Sequence, residues 1–194
     1  MYIPHSFAAT DESRLFALMR DNPFATLVSP GQAGPQIAHL PLLFDADRRV
    51  LCGHFAAANP QSGAEGAVVA VFHGPHAYVS PSWYVNPGVP TWNYATVHVH
   101  GQLRHIADAD AKLAQMRELV AAFEPDGAWT LDQAPNLAHM LEHILTFEIA
   151  IETIEGKFKM SQNRPADRPG VIEALAASPY PEDRRTAAFM LEQP

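Results

Sequence analysis

"HAYVSPSWYVNPGVPTWNYATVHVHGQLRHI", residues 76–106, holds an alternating run, then a segment crowded with prolines and aromatic rings, then a second alternating run. Alternation at a period of two is the signature of strands. Prolines in the middle of such a segment block a regular ladder, so the chain reads as strand, bulky connection, strand. The connection holds Trp83, Tyr84 and Trp92, with Tyr78 and Tyr94 beside it. That is two of the chain's three tryptophans and three of its five tyrosines. A packed core would spread such rings over several elements. Held rigid between strands, they read as a flat wall on which a planar heteroaromatic ligand stacks with little entropy to lose, or as packing between subunits, and the two agree where a ligand lies at a dimer seam.

Upstream, "FATLVS", "QIAHLPLLF", "RVLCGHF", "AVVAVF" and "HAYVS" are strand-length runs separated by Gly, Pro, Asp or Asn, and "TVHVHGQLRHI" follows the aromatic segment. Six strands so spaced, with few long crossovers and no G-x-G-x-x-G or Walker-type loop, favour an antiparallel barrel over a doubly wound parallel sheet. The expected class is therefore α+β, mainly β. Helical periodicity appears at three places. "TDESRLFALMRDN" offers Thr10 or Asp11 as a cap, with Leu15, Phe16, Leu18 and Met19 as its apolar stripe, which predicts a helix over about 11–21. Leu113, Met116, Leu119, Val120 and Phe123 recur at helical steps, followed by Asp132 as a cap with Leu137, Met140, Leu141 and Ile144 inward. This predicts a helical insertion over about 108–145. "TFEIAIETIEGKFKMS" then returns to alternation, and the tail carries short helices within about 168–191. No boundary is visible, and the reading is a single domain over 1–194.

Composition excludes several classes. The 194 residues are 47% hydrophobic and 18% charged, with no apolar run of membrane-span length. Thirteen basic residues against twenty-one acidic ones give a net charge of −8, which opposes a surface that tracks nucleic-acid phosphates. No helix-turn-helix, zinc finger or basic stripe is present. Lys157, Lys159, Arg164 and Arg168 nevertheless fall within twelve residues, a density that suits one phosphate better than a duplex. The N-terminus lacks the basic and apolar segments of a secretion signal, and the single Cys52 has no intramolecular partner, so a cytoplasmic location is expected. Cys52 lies in an apolar run and reads as a plain buried thiol.

Polar residues inside apolar strands mark the candidate site: His39, His54 with Asn59, and Asn93 with His98 and His100. Each histidine taken singly is most simply a packing residue. "HMLEH", residues 139–143, matches the H-x-x-E-H zinc pattern, with His139 and His143 on one helical face; exposed surface histidines are the plainer reading, and a zinc peptidase the remote one. No G-x-S-x-G elbow supports a serine nucleophile.

Read in order, "MYIPHSF", "NPFATLVSP", "AHLPLLFD", "LCGHFAAANP", "VFHGPHAYVSPSWY", "VPTWNYATVHVHG" and "IEGKFKMSQNRPADRPGV" resemble the PaiB family of FMN-binding negative transcriptional regulators, over roughly residues 1–175. The resemblance implies an antiparallel six-stranded split β-barrel of the pyridoxamine-phosphate-oxidase type with flanking helices, a homodimer, and FMN at the subunit interface. It places His39, Leu40, Pro41, His54 and Asn59 near the flavin, with Trp83, Tyr84, Trp92 and Asn93 as the interface wall. Lys159, Gln162, Asn163 and Arg164 become candidates for phosphate or cross-dimer contacts. The chain departs from the family pattern at Ala57, Ser62 and Phe158, where an Arg, a Trp and a Trp are common. A flavin-dependent oxidoreductase, or a haem-binding split barrel with His98 as ligand, is the alternative.

Overall fold

The computed structural model describes residues 1–124 and 127–192. Its strands are β1 (Ala8–Ala9), β2 (Phe24–Ser29), β3 (Gln36–Pro41), β4 (Leu43–Asp45), β5 (Val50–Ala56), β6 (Gly66–Val79), β7 (Thr91–His105) and β8 (Ile144–Lys159). The helices are α1 (Glu12–Asp21), α2 (Ala109–Phe123), α3 (Leu137–Glu142), α4 (Arg168–Ala176) and α5 (Pro181–Leu191). The strands lie in one sheet in the order β3-β2-β6-β7-β8-β5-β4, with β1 on β8, and the β1–β8, β2–β3, β2–β6, β4–β5 and β5–β8 pairs are all antiparallel. Two compact units share the long strands: residues 1–22, 72–98 and 155–194 form one, and residues 23–71 and 99–154 the other.

Eight strands stand against the six expected because the alternating run of β8 and the two-residue β1 join the sheet, while among the six runs one fusion and one split cancel. "AVVAVF" and "HAYVS" fuse into one β6 of 14 residues that runs through Gly74 and Pro75. A Cβ at Gly74 would lie 2.8 Å from Leu18 and 3.1 Å from the Cβ of Ala95, so a bare backbone there lets α1 sit against the sheet. "QIAHLPLLF", in contrast, splits in two at Leu42, whose N–H donates to the Pro23 carbonyl at 2.8 Å.

In the unit of residues 23–71 and 99–154, the β2–β3 register sets Ala25 opposite Leu40 and Leu27 opposite Ala38 on the buried face. Phe24–Pro41, Thr26–His39 and Val28–Ile37 pair on the other. Phe55 and Phe147 pack with ring centroids 4.6 Å apart, a contact worth about 1 kcal/mol beyond its buried area. Helix α2 is capped by Asp108, which accepts from Ala111 N–H at 2.8 Å. One tie to the sheet is polar: the Gln115 amide donates to the carbonyls of Gly53 (2.8 Å) and Phe147 (3.3 Å). Met116 is buried, whereas Phe123 at the end of the expected apolar face is half exposed. Helix α3 is shorter than the periodicity suggested and has no buried residue. Thr130 and Gln133 form a capping box on a 3₁₀ turn where Asp132 was expected to cap, and Lys112 Nζ holds the end of α3 through the carbonyls of Leu141 and Ile144. Cys52 is buried, and burial pushes its thiol up to about 11.

In the unit of residues 1–22, 72–98 and 155–194, α1 starts at Asp11, whose carboxylate accepts from Ser13 N–H at 2.9 Å, and buries Leu15, Leu18 and Met19. Together with Phe72, Val79, Val97, Met160, Val171, Leu175 and Met190 these side chains make the unit's core.

Gly101 on β7 is the tightest backbone approach, because a Cβ there would lie 2.4 Å from the Ala150 carbonyl oxygen. Gly101→Val is expected to destabilise the protein by about 2 kcal/mol, through a clash with backbone that cannot swing aside. Urea unfolding with an unchanged m-value would register it; an unchanged midpoint would show that the strands have slack.

Candidate functional site

The proline-rich segment owes its shape to a buried carboxylate. Asp167, 2% exposed, accepts from the N–H groups of Val85 (2.8 Å) and Asn86 (3.1 Å) and from Arg164 Nε (2.6 Å). Burial raises its pKa, but the Asn86 amide, the Arg164 side chain and the Val85 amide outweigh that and hold the carboxyl below its usual range. Arg164 completes the clasp, with Nη2 donating to the carbonyls of Asn86 (3.4 Å) and Pro87 (3.2 Å) and its guanidinium 4.3 Å above the Tyr84 ring. The sequence marks Arg164 but not Asp167. Its position before Arg-Pro at a helix start reads as a cap, yet its side chain makes no capping hydrogen bond with α4.

From this clasp the chain enters β7, and the pleat separates neighbours. Trp92 is 54% exposed, its ring 6.1 Å from Tyr78 in an edge-on arrangement and 6.3 Å from His76. Asn93, the next residue, is fully buried: its amide donates to Ser161 Oγ at 2.9 Å and touches Met190 Sδ at 3.4 Å, and Ser161 Oγ donates back to its Oδ1. Asn93 therefore braces the core, while Trp92, Tyr78 and His76 form an outward aromatic surface. Trp83 is half-buried, and its carbonyl lies where only glycine, here Gly170, can pass.

The backbone of this segment is held by Lys159. Its Nζ donates to Thr91 Oγ1 and to the Trp92 carbonyl, both at 2.7 Å, and lies 5.8 Å from the Phe7 ring. Burial, with the nearby Lys157 charge, lowers its pKa. An ammonium has three protons and two are engaged, so one donor is left for an anion. Gln162 folds back on its own strand, accepting from Met160 N–H at 2.6 Å and donating to the Phe158 carbonyl, while Asn163 is exposed.

Apart from His98, the other expected residues belong to the second unit. His39 points outward, bonded to Thr26 Oγ1 at 3.1 Å and stacked near Phe24, whereas Leu40 faces the core and Pro41 ends the strand. Alternation likewise turns His54 away from the face on which Gly53 meets Leu40, Leu42 and Phe147. His54 is half-buried, its Nδ1 has no hydrogen-bond partner among the described residues, and burial lowers its pKa. Asn59 caps the short turn at Pro60–Gly63, accepting from Gln61 N–H. His98 is half-buried between Val97 and Val99. His139 and His143 are exposed, with Nε2 atoms 3.2 Å apart; no group of three His, Cys, Asp or Glu placed to hold a metal ion occurs among the described residues. Nor is any described helix long and apolar enough to cross a membrane.

This antiparallel sheet with flanking helices is the split β-barrel fold. Solved structures share it: the flavocytochrome Anf3 from Azotobacter vinelandii (TM-score 0.66, 17% identity, 79% of this chain and 70% of that one), and the FAD and heme binding protein from Mycobacterium smegmatis (TM-score 0.64, 19% identity, 78% and 73%). The sequence itself goes further. Residues 1–153 match the family model described as "Putative FMN-binding domain", and the chain is 34% identical to the protease synthase and sporulation protein PAI 2 of Bacillus subtilis over 98% of its own length and 96% of that protein's. A protein of Emericella nidulans, AN0679, is 31% identical with 90% of each chain covered. The chain belongs to this family, that of the PaiB proteins.

Asp167→Ala is expected to lower the hydrogen-exchange protection of the Val85 and Asn86 amides roughly tenfold, as for one lost hydrogen bond. In the wild type the same protection should hold above the ordinary carboxylate value, about 3.9, and fall only as pH drops through the lower folded value, because a depressed folded pKa contributes stability that acid removes. Equal protection in both proteins would show that the segment holds itself.

Proposed function

We propose that this is a cytoplasmic, homodimeric FMN-binding protein that stacks the flavin ring on the Trp92 surface and engages its phosphate through Lys159 and Asn163. The observation that carries the reading is an outward indole whose own backbone carbonyl is held by a tethered ammonium. An exposed ring of this size next to Tyr78 is costly to leave in water and is recovered by stacking, and Lys159 keeps one donor free for a phosphate oxygen. Arg164 is committed to Asp167 and two carbonyls, so it orders the wall rather than meeting the ligand. Exposed Val85, Val89 and Trp92 supply an apolar surface for a second copy to cover. Negative regulation of transcription, by analogy with the PaiB family, would act without direct duplex binding, in keeping with the net charge of −8.

The kinship in fold with a flavocytochrome and with an FAD and heme binding protein favours a second reading, redox chemistry on a bound flavin or haem with His98 as haem ligand. Absorbance spectra before and after dithionite, with FMN or hemin added, separate the two.

Titration with FMN and with riboflavin, which lacks the phosphate, tests the main reading. Lys159→Gln should weaken FMN about tenfold, the scale of one charge-assisted hydrogen bond, and leave riboflavin unchanged. Trp92→Ala should weaken both about fivefold, the scale of one aromatic stack. Absence of FMN binding at tens of micromolar, or indifference of both flavins to Trp92→Ala, would overturn it. Light scattering should give twice the chain mass of 21.2 kDa.

A further inference from the structure

A cavity of about 440 Å³ lies within the unit of residues 1–22, 72–98 and 155–194, between the outer side of α1, the end of β8 and α5. Its volume falls in the range of small-molecule pockets. None of the residues assigned above to the flavin lines it. Phe158 and Phe189 meet edge to face at 5.3 Å and supply an aromatic floor, with Ala17, Leu18, Pro75 and Ala188 around it.

Its polar groups are unequal. Arg185 is already satisfied, donating to Asn22 Oδ1 and lying 3.7 Å from Glu182. Arg14 is not: its guanidinium sits 5.5 Å above the Phe158 ring, the charge of Asp11 reaches it but no carboxylate lies within ion-pair distance among the described residues, and the Nη2 of this half-buried side chain has no hydrogen-bond partner. A buried cationic donor left unpaired is costly, and the cost is removed by an anion that brings its own acceptor. Asp21 and Glu192 on the wall repel highly charged ligands, which disfavours a phosphate dianion and leaves room for a single delocalised charge. A carboxylate matches the planar guanidinium fork, and a ring attached to it fills the space over Phe158 and Phe189.

We propose that this cavity is a second ligand site, separate from the flavin wall, that binds a small aromatic monocarboxylate through Arg14. The site gives a flavin-binding domain the means to sense or hold an organic acid at α1 and α5.

Calorimetric titration with benzoate, with its neutral isostere benzamide and with inorganic phosphate tests the proposal. Benzoate should bind at least tenfold more tightly than benzamide, the scale of one charge-assisted hydrogen bond, and phosphate should not displace it. Arg14→Gln should reduce benzoate to the benzamide level and leave benzamide unchanged. Ala188→Trp, on an exposed face of α5, should fill the space and remove both. Lys159→Gln should leave benzoate binding intact, so that loss of the flavin site and loss of this one are told apart. Equal affinity for benzoate and benzamide, displacement by phosphate, or loss of FMN binding on Arg14→Gln would each overturn the assignment.

Discussion

The pleat of the long strands governs where every functional side chain can go. Successive residues on a strand point to opposite faces, so a polar residue next to a buried one is turned outward by geometry alone. Trp92 is displayed because Asn93 is locked into Ser161 and Met190; His39 is displayed because Leu40 is in the core; His54 is turned from the Gly53 face because Leu42 and Phe147 close over that glycine. Once the register is set, neither member of such a pair can move without flipping the other.

Regular pairing cannot govern the segment between β6 and β7, where prolines remove ladder donors. Buried polar groups take over. Asp167 gathers two backbone amides and a guanidinium, Arg164 takes two carbonyls, and Lys159 ties Thr91 to the Trp92 carbonyl. The same device recurs in the other unit, where Gln115 joins α2 to β5 and β8, and Gln61 bonds Ser29 Oγ at 2.9 Å. Such side chains are fixed by partners far away in sequence, which gives the irregular regions one conformation without a hydrophobic core of their own.

These long-range ties explain what could be read from the sequence. The antiparallel class and the family were legible, because alternation, turn residues and ordered motifs are local signals. The fusion through Gly74 and Pro75 was not, since it depends on Leu18 approaching from α1. Neither was the role of Asp167, whose amide partners lie 81 and 82 residues upstream. At the candidate site, the crowding of rings was legible, but which of them face outward was not. Asn93 and Trp92 look equally suited to a ligand as letters, and only the pleat separates them. Arg164 looks like an ideal phosphate fork until Asp167 is seen to occupy it.

The proposal that Lys159 meets a phosphate rests on how the four cations near the end of β8 are used. Lys157 is buried, its Nζ bonded to the Tyr2 carbonyl at 3.1 Å and flanked by the rings of Tyr2 and Tyr94. Arg164 serves Asp167, and Arg168 donates to the Met190 carbonyl. Lys159 alone combines two structural bonds with a spare donor. Duplex affinity grows with each mobile cation that displaces a counterion, and cations committed to internal carbonyls displace few. A single phosphate asks only for one ammonium held still. The tethers restrict the motion of these side chains without cancelling their charge, and they would make Lys159 a directional donor: it is fixed in place, partly desolvated, and short of one acceptor.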